Sequence, residues 1–326
     1  MVIKSLLLVC SLFIVLPGQA QNIIYVNDDA NGANTGLSWF DAYTNLQDAL
    51  LEADSTDQIW VATGVYYPGE RGERDHSFKL VNGVKLYGGF RGSETSLLER
   101  PNDTTSLFSQ TYNTILSGDI NKDGELIGNS YTVIYSTDTD STTILSGFII
   151  SSGNANGSNS TRHTDGGGMY NNGGTPIISK CLFTNNQASR LGAGMFNTES
   201  AIKVIDCVFS NNKVLGNGDG GGIYNSDSDS EIITCIFQNN LANDDGGGSY
   251  NRNSNVTFSE SIFIGNTCGN SGIHNGEGGG IHNDGGAPKI DRCQFINNEA
   301  SHWGGGIFND RSSPQVQTCI FNTNHA

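Results

Sequence analysis

Acidic residues recur directly before a repeated glycine motif in the second half of the chain, and they are its first candidates for chemistry. Asp219 and Asp245 each precede a Gly-Gly-Gly triplet, and Asp244 adjoins Asp245. On neighbouring turns of a repeat, two such carboxylates bind a cation, share a proton or turn apart. An indole ring in the same position offers a surface on which a sugar can stack. The candidate residues for glycan or cation binding are Asp165, Asp219, Asp244, Asp245, Glu277 and Trp303.

A second acidic feature lies at residues 119–125. Asp119, Asn121 and Asp123 occupy alternate positions before Gly124, an arrangement that aims several oxygens at one point, as a calcium loop does. Ser130 stands where such a loop carries a bidentate glutamate, so a plain surface turn is the alternative. Calcium, held by Asp119, Asn121 and Asp123, is the cofactor that the sequence predicts.

An internal repeat must position these groups. Six Gly-x-Gly motifs are each followed, 15 residues after their first glycine, by Cys-x-Phe-x-x-Asn, with serine replacing cysteine in the fourth repeat. The glycine motifs begin at residues 166, 192, 220, 246, 278 and 304. Length varies only between the asparagine and the next glycine motif. A fixed period of this size indicates stacked units that share one core.

The composition of each unit predicts short β-strands. Ile, Val, Phe and Thr dominate, punctuated by Gly and Asn, which favours strands joined by turns over helices. Parallel stacking places equivalent residues about 4.8 Å apart, so that every repeat position becomes a ladder. We expect the columns represented by Ile178, Cys181 and Phe183 to form the core, and the column of Lys180 to face water. We expect the motif asparagines to stack amide on amide, with a polar binding stripe as the alternative.

This alternation of motifs resembles the repeats of the chlamydial polymorphic outer-membrane proteins, although their glycine motif has Ala where this chain has a third Gly. The matching pairs are Phe183 with Asn186, Phe209 with Asn212, Phe237 with Asn240, Phe263 with Asn266, Phe295 with Asn298, and Phe321 with Asn324. The chain looks like an all-β, right-handed parallel β-helix of the pectate-lyase-like superfamily. The resemblance implies the fold and leaves the function open, because this scaffold carries adhesins, passenger domains and polysaccharide lyases or hydrolases.

Two functions are compatible with such a scaffold. We expect a noncatalytic, adhesin-like or glycan-contacting protein that displays variable loops on one edge. The alternative is a carbohydrate-active enzyme, a lyase or a glycoside hydrolase, because the acidic residues lie on that edge with His274 and His302 near by. The Gly-His-Gly and Arg-x-Lys signatures of polygalacturonases do not occur in the sequence. No residue is therefore assigned as catalytic.

The N-terminus predicts export. Residues 1–20 combine Lys4, an apolar run from 6 to 16, and small residues at Gly18 and Ala20, as a signal peptide does. The predicted location is secreted or on a bacterial cell surface, outer membrane or extracellular, with no transmembrane segment in the mature chain. The net charge of -16 opposes nucleic acid as a partner. A polysaccharide or a host or neighbouring cell surface is the expected partner.

The chain divides into an irregular and a regular part. Residues 21–113 are expected to form an N-terminal cap and the first irregular coils, with a capping helix within 39–54, where Leu46, Ala49 and Leu50 recur at helical spacing. Residues 114–326 are expected to form the β-helix, with six regular coils from 166. The last motif ends close to Ala326, so we expect its coil to be uncovered.

Cysteine usage suggests packing rather than disulfides. Five of the six cysteines after the leader belong to the ladder column, where a spacing of about 4.8 Å exceeds the Cβ separation of a disulfide. We expect these five to be buried thiols. Cys268, in the longest insertion, is expected to be the one exposed candidate for chemistry, with an unreactive loop cysteine as the alternative.

Overall fold

The computed structural model describes residues 22–100, 113–158, 161–269 and 275–326. The predicted signal peptide, residues 1–20, lies outside the described residues. Within them the chain forms 33 strands in four parallel sheets. Each of the first five regular coils contributes one strand to every sheet, in the order C, A, B, D, and the last coil contributes strands to C, A and B.

The sheets are named by their strands, given in chain order. Sheet A holds Ile23–Val26, Gln58–Ala62, Lys85–Phe90, Ile144–Ser146, Ile177–Ser179, Lys203–Ile205, Glu231–Ile233, Thr257–Ser259, Lys289–Asp291 and Gln315–Gln317. Sheet B holds Gly64–Tyr66, Thr114–Ser117, Ile149–Ser151, Leu182–Thr184, Val208–Ser210, Ile236–Gln238, Ile262–Ile264, Gln294–Ile296 and Ile320–Asn322. Sheet C holds Phe78–Lys79, Ile134–Thr137, Met169–Asn172, Met195–Thr198, Ile223–Ser226, Ser249–Arg252, Ile281–Asp284 and Ile307–Asp310. Sheet D holds Asn154–Ala155, Gln187–Ala188, Lys213–Val214, Leu241–Ala242, Thr267–Cys268 and Glu299–Ala300.

Successive coils pair in register, so that equivalent repeat positions become direct neighbours. Phe183 pairs with Phe209, and Phe209 pairs in turn with Phe237. Their rings stack with centroids 4.8 and 5.0 Å apart, and all three side chains are fully buried. The predicted all-β parallel β-helix and its phenylalanine column are therefore confirmed.

The corners between the sheets use left-handed backbone. Lys180, directly before the ladder cysteine, has φ 53°, and it separates a sheet A strand from a sheet B strand. The first glycine of each triplet forms another corner, with φ 65° at Gly166. The third glycine of the triplet is required by packing between coils, because a Cβ on Gly222 would lie 2.4 Å from the carbonyl oxygen of Gly248 on the next coil. Close stacking of the coils therefore excludes a larger residue there.

The asparagines lie inside the solenoid, as predicted. Asn186, Asn212 and Asn240 are fully buried, and each amide bonds the next one along the axis. Nδ2 of Asn212 also donates to the carbonyl oxygen of Phe183 at 2.9 Å. These amides satisfy backbone groups at a corner, so they do not form an exposed binding stripe.

The predicted thiol column is confirmed, and the interpretation of Cys268 is wrong. Cys181, Cys207, Cys235 and Cys293 are buried free cysteines, and Cys319 on the last coil is half-buried. Cys268 is only 3% exposed, because it pairs with Ala242 and Ala300 in sheet D rather than lying in a loop. Its side chain packs inward like the small residues on either side of it.

The N-terminal helix is shorter than the predicted segment. It spans Leu46–Glu52 and begins after Asn45, whose side chain accepts a hydrogen bond from the backbone N–H of Gln47. Residues 36–43 instead pair with the first strand, where the backbone N–H of Tyr43 donates to the carbonyl oxygen of Tyr25 and the N–H of Tyr25 donates to that of Gly36, both at 2.9 Å. The helix buries Leu46, Ala49 and Leu50 in the core beside the first strands of sheets A and C.

The remaining helical elements are short, a 3-10 turn at Leu97–Glu99 and one α-turn at Thr161–Thr164. At the other end of the solenoid, Phe321 is 51% exposed, whereas Phe295 one coil earlier is fully buried.

Candidate functional site

The residues before the glycine triplets pack over a column of aromatic rings on sheet C. We call Asp165, Leu191, Asp219, Asp245, Glu277 and Trp303 the edge column. The aromatic column consists of Tyr135, Tyr170, Phe196, Tyr224, Tyr250, His282 and Phe308, which pair in register. The first glycine turns the chain back, so that Leu191 contacts the aromatic cluster and Trp303 stacks on Phe308. The acidic groups therefore lie beside apolar rings rather than along an open ledge.

Asp165 is fully buried and ion-paired. Arg190 Nε donates to its Oδ1 at 3.0 Å, and Arg190 Nη2 bonds its Oδ2. Burial raises the pKa of Asp165 to about 6, against the opposing effect of Arg190. This carboxylate has no exposed face for a glycan.

Asp219 and Asp245 form a hydrogen-bonded ladder along the edge column. Oδ1 of Asp219 accepts from the backbone N–H of Asp245 at 3.1 Å, and Oδ1 of Asp245 accepts from that of Glu277 at 2.8 Å. Burial raises the pKa of Asp219 to about 7 and that of Asp245 to about 8. The neighbouring charge of Asp244 adds to both shifts.

The structure adds a histidine to this group. Asp245, Glu277 and His282 each place one ligand atom within 4.8 Å of the others. His282 is not among the candidates predicted from the sequence, although the repeat places it four residues after the first glycine of its motif, in register with Tyr250 and Phe308. Burial lowers the pKa of His282 to about 4, which keeps the imidazole neutral at pH 7.

Trp303 is the most exposed member of the edge column. Its indole is 53% exposed and lies 3.7 Å, centroid to centroid, from the imidazole of His302. Nδ1 of His302 lies 3.7 Å from Oε1 of Glu277. The accessible end of the edge column is thus its last two coils.

The predicted calcium loop is closed by its own hydrogen bonds. Oδ1 and Oδ2 of Asp119 accept from the backbone N–H groups of Asp123 and Gly124, at 3.3 and 3.0 Å. Oδ1 of Asp123 accepts from the N–H of Glu125 at 2.9 Å, and Nδ2 of Asn121 donates to Ile127. Calcium binding by this loop stays a prediction.

A groove lies beside the N-terminal helix, at the opposite end of the chain from Trp303. It encloses about 1370 Å³ between the helix, the loop that precedes the first strand of sheet C, and the 120–122 turn. Its apolar and aromatic walls are Leu51, Val65, Tyr67 and Tyr135. Its charged walls are Asp28, Glu70, Arg71, Glu73, Asp75, His76, Lys79, Lys122 and Arg162.

Cations lie over the tyrosines of this groove. Lys122 Nζ is 4.6 Å from the ring centroid of Tyr67, and the Arg162 guanidinium is 5.4 Å from that of Tyr135. Gln47 ties the wall together by donating to the carbonyl oxygens of Pro68 and Ser77. The groove could not be predicted from the sequence, because its walls come from non-repeating segments that share no common pattern.

A family model for the Chlamydia polymorphic membrane protein repeat matches residues 206–226 and 292–310. Both segments run from the ladder cysteine to the glycine motif that follows it. The predicted similarity of the repeats is therefore confirmed. A search of curated protein sequences gives no match.

A search of solved structures gives three matches, each with a TM-score below 0.5. The chain is 12% identical to pectate lyase Pel9A, with a TM-score of 0.49 over 94% of this chain and 78% of that one. A rhamnogalacturonan lyase gives 11% identity and a TM-score of 0.35 over 91% and 62%. The A-module of the Azotobacter vinelandii mannuronan C-5 epimerase AlgE4 gives 11% identity and 0.24 over 86% and 89%. We infer no function from these matches.

No helix in the described part of the chain has the length and hydrophobicity needed to cross a membrane.

Proposed function

We propose that this chain is a noncatalytic β-helix protein, secreted or exposed at a bacterial cell surface, that binds a polysaccharide in its N-terminal groove. The groove carries the proposal, because it combines accessible aromatic and charged groups in one concave surface. The edge column supports this role less well. Asp165 is buried and ion-paired, and Oδ1 of Asp219 already accepts a hydrogen bond from the backbone of Asp245.

The chemistry of the groove suits a hydroxyl-rich ligand. Sugars present apolar C–H faces that pack on aromatic rings and hydroxyl groups that bond carboxylates and cations. Tyr67 is half-buried and Leu51 is 83% exposed, so both offer apolar surface to a ligand. Four cations and four acids line the walls besides His76, which leaves the groove near neutral on a strongly acidic protein. A neutral or mildly acidic glycan meets no net repulsion there.

The repeats support the proposed location. The family model that matches residues 206–226 and 292–310 describes a membrane protein repeat, and residues 1–20 have the pattern of a signal peptide. A rigid solenoid with its ladder hydrogen bonds buried also suits exposure outside the cell, where no chaperone system refolds it.

A binding assay with groove variants tests the proposal. The purified chain is screened against immobilised bacterial, plant and algal polysaccharides. Affinities are then measured by calorimetry in the presence of a metal chelator. Tyr67→Ala should weaken binding by about tenfold or more, since an aromatic contact and its buried area are lost. Lys213→Ala, on an exposed strand of sheet D, is the matched control and should bind as the wild type does. Binding that survives Tyr67→Ala but is lost in Trp303→Ala would move the site to the edge column.

A carbohydrate-active enzyme is the second candidate, because the groove contains one carboxyl group with a perturbed pKa. Burial raises the pKa of Asp28, which is the direction of shift that a general acid requires. Incubation with the same polysaccharides, with and without calcium, should then give reducing ends or unsaturated products that absorb in the ultraviolet. Such activity, abolished by Asp28→Asn, would replace the noncatalytic function with the enzymatic one.

A further inference from the structure

One coil departs from the aromatic column. Tyrosine or phenylalanine occupies this position at Tyr135, Tyr170, Phe196, Tyr224, Tyr250 and Phe308, and histidine does so only at His282. His282 is 3% exposed and its ring lies 4.7 Å from that of Tyr250. A phenyl ring fills this space and has no polar atom, whereas an imidazole has nitrogen atoms that need a hydrogen-bond or metal partner when they are buried.

The inward nitrogen of His282 has no hydrogen-bond partner among the described residues. This atom, Nδ1, lies 3.4 Å from Oδ2 of Asp245 without hydrogen-bond geometry. The other oxygen of Asp245 is already used, because it accepts from the backbone N–H of Glu277 at 2.8 Å. Nδ1 of His282 and Oδ2 of Asp245 therefore face each other beside the carboxylate of Glu277, and both atoms are available as metal ligands.

We propose that Asp245, Glu277 and His282 bind a divalent transition-metal ion, with zinc as the best fit. Zinc is bound by histidine nitrogen and carboxylate oxygen at about 2.0–2.2 Å, so two tetrahedral ligands stand roughly 3.4 Å apart. The Nδ1 to Oδ2 separation of 3.4 Å equals this value. The ligand atoms of the three residues lie within 4.8 Å of one another, and a small rotation of the Glu277 carboxylate closes the set.

The ligand set selects the class of metal. Calcium and magnesium prefer oxygen ligands, whereas an imidazole nitrogen with two carboxylates suits zinc and its first-row neighbours. The side chains of Asp245 and Glu277 are 19% and 18% exposed, so the ion has an entry path and an open position for water or a ligand. Nδ1 of His302, which is also buried without a hydrogen-bond partner among the described residues, lies 3.7 Å from Oε1 of Glu277.

The repeat supplies an internal comparison. One coil earlier, Asp219 and Asp245 stand in the same edge positions as Asp245 and Glu277, and their aromatic neighbour is Tyr250. The carboxylates are thus repeated along the column, whereas the imidazole is not. The site should therefore form only where His282 joins two acidic edge residues.

Zinc and cobalt binding to the full purified chain test this assignment. We expect one zinc ion per chain by calorimetry, and a cobalt complex whose visible spectrum shows nitrogen and oxygen ligands without a thiolate charge-transfer band. His282→Phe restores the residue type of the column, so the chain should fold, and it should weaken zinc binding by at least about tenfold. Asp245→Asn should do the same. Asp206→Asn, at a half-buried corner outside the edge column, should bind zinc as the wild type does.

A second variant guards against an uninformative loss. In His282→Phe, the further change Tyr250→His places an imidazole beside Asp219 and Asp245, and it should restore cobalt binding one coil earlier. Equal zinc affinity in the wild type and His282→Phe would overturn the proposal. So would a thiolate band in the cobalt spectrum, or the absence of any zinc binding by a chain that shows the β-sheet dichroism of the wild type.

Discussion

Oδ1 of Asn212 accepts hydrogen bonds from both the backbone N–H and the side-chain amide of Asn186, at 3.2 and 3.1 Å. The same contact repeats from Asn212 to Asn240, and from Asn240 to Asn266. Each asparagine thus serves as acceptor for the coil before it and donor for the coil after it. A buried amide ladder of this kind links the coils where the backbone turns and cannot pair with itself.

Replacing one member of this ladder should be costly. Asn212→Ala removes the acceptor for Asn186 and the donor to the carbonyl oxygen of Phe183, all in a fully buried place. Each unsatisfied group costs about 1–3 kcal/mol, so we expect unfolding to be easier by about 3–5 kcal/mol in urea titrations followed by circular dichroism. Asn211→Gly is the control, because Asn211 is exposed with φ 57° and glycine accepts that conformation. Equal losses in both variants would show that the ladder carries no special stability.

Asp165 should make the stability of the fold depend on pH. Its pKa is raised to about 6 by burial, above the value of about 3.9 expected in an unfolded chain. The group therefore contributes stability below pH 4, and this contribution is lost as the pH rises towards 6. We expect the melting temperature to fall over that interval, and Asp165→Asn to flatten that part of the profile. A wild-type melting temperature that rises from pH 4 to 6, beside a flat profile in Asp165→Asn, would contradict this. It would show that the attraction of Arg190 outweighs burial in setting the pKa of Asp165.

The fold is predictable from the sequence because each repeat position keeps one residue type. Phe183 and Asn186 recur at fixed offsets, and a fixed offset in a parallel stack means direct contact. The corners are less visible. Lys180 adopts φ 53° although lysine has no preference for left-handed backbone, so only the stacked neighbours reveal the turn that separates sheets A and B.

The candidate sites are harder to predict for the same reason. Asp245 and Glu277 are visible in the sequence because they share a repeat position. His282 is visible as the one imidazole at the fifth position of the glycine motif, but its contact with Asp245 of the preceding coil is not, since that contact depends on how the turn before the motif packs on sheet C. The groove depends on contacts such as Lys122 with Tyr67, between segments with no common pattern.

Calcium should bind the 119–125 loop weakly. Asp119 already accepts two backbone hydrogen bonds, so an ion must share its oxygens with the loop itself. We expect a dissociation constant on the order of 10⁻⁴–10⁻³ M, as in extracellular calcium modules. Calorimetry on the wild type and Asp123→Asn measures this, with Asp229→Asn as an exposed control. If no heat of binding appears at millimolar calcium, the loop is a plain surface turn.

The cysteines should be almost inert in the folded chain. Burial raises the pKa of Cys181 and Cys207 far above the ordinary value, and that of Cys293 to about 12, so few thiolates form at pH 8. Cys268 is also buried, and burial raises the pKa of its thiol. Of the six described cysteines, only Cys319 is half-buried rather than buried. We therefore expect a thiol reagent to modify Cys319 first, and the other five only at the rate of unfolding. Mass spectrometry of tryptic peptides locates the label, and rapid labelling of Cys268 under native conditions would contradict its place in sheet D.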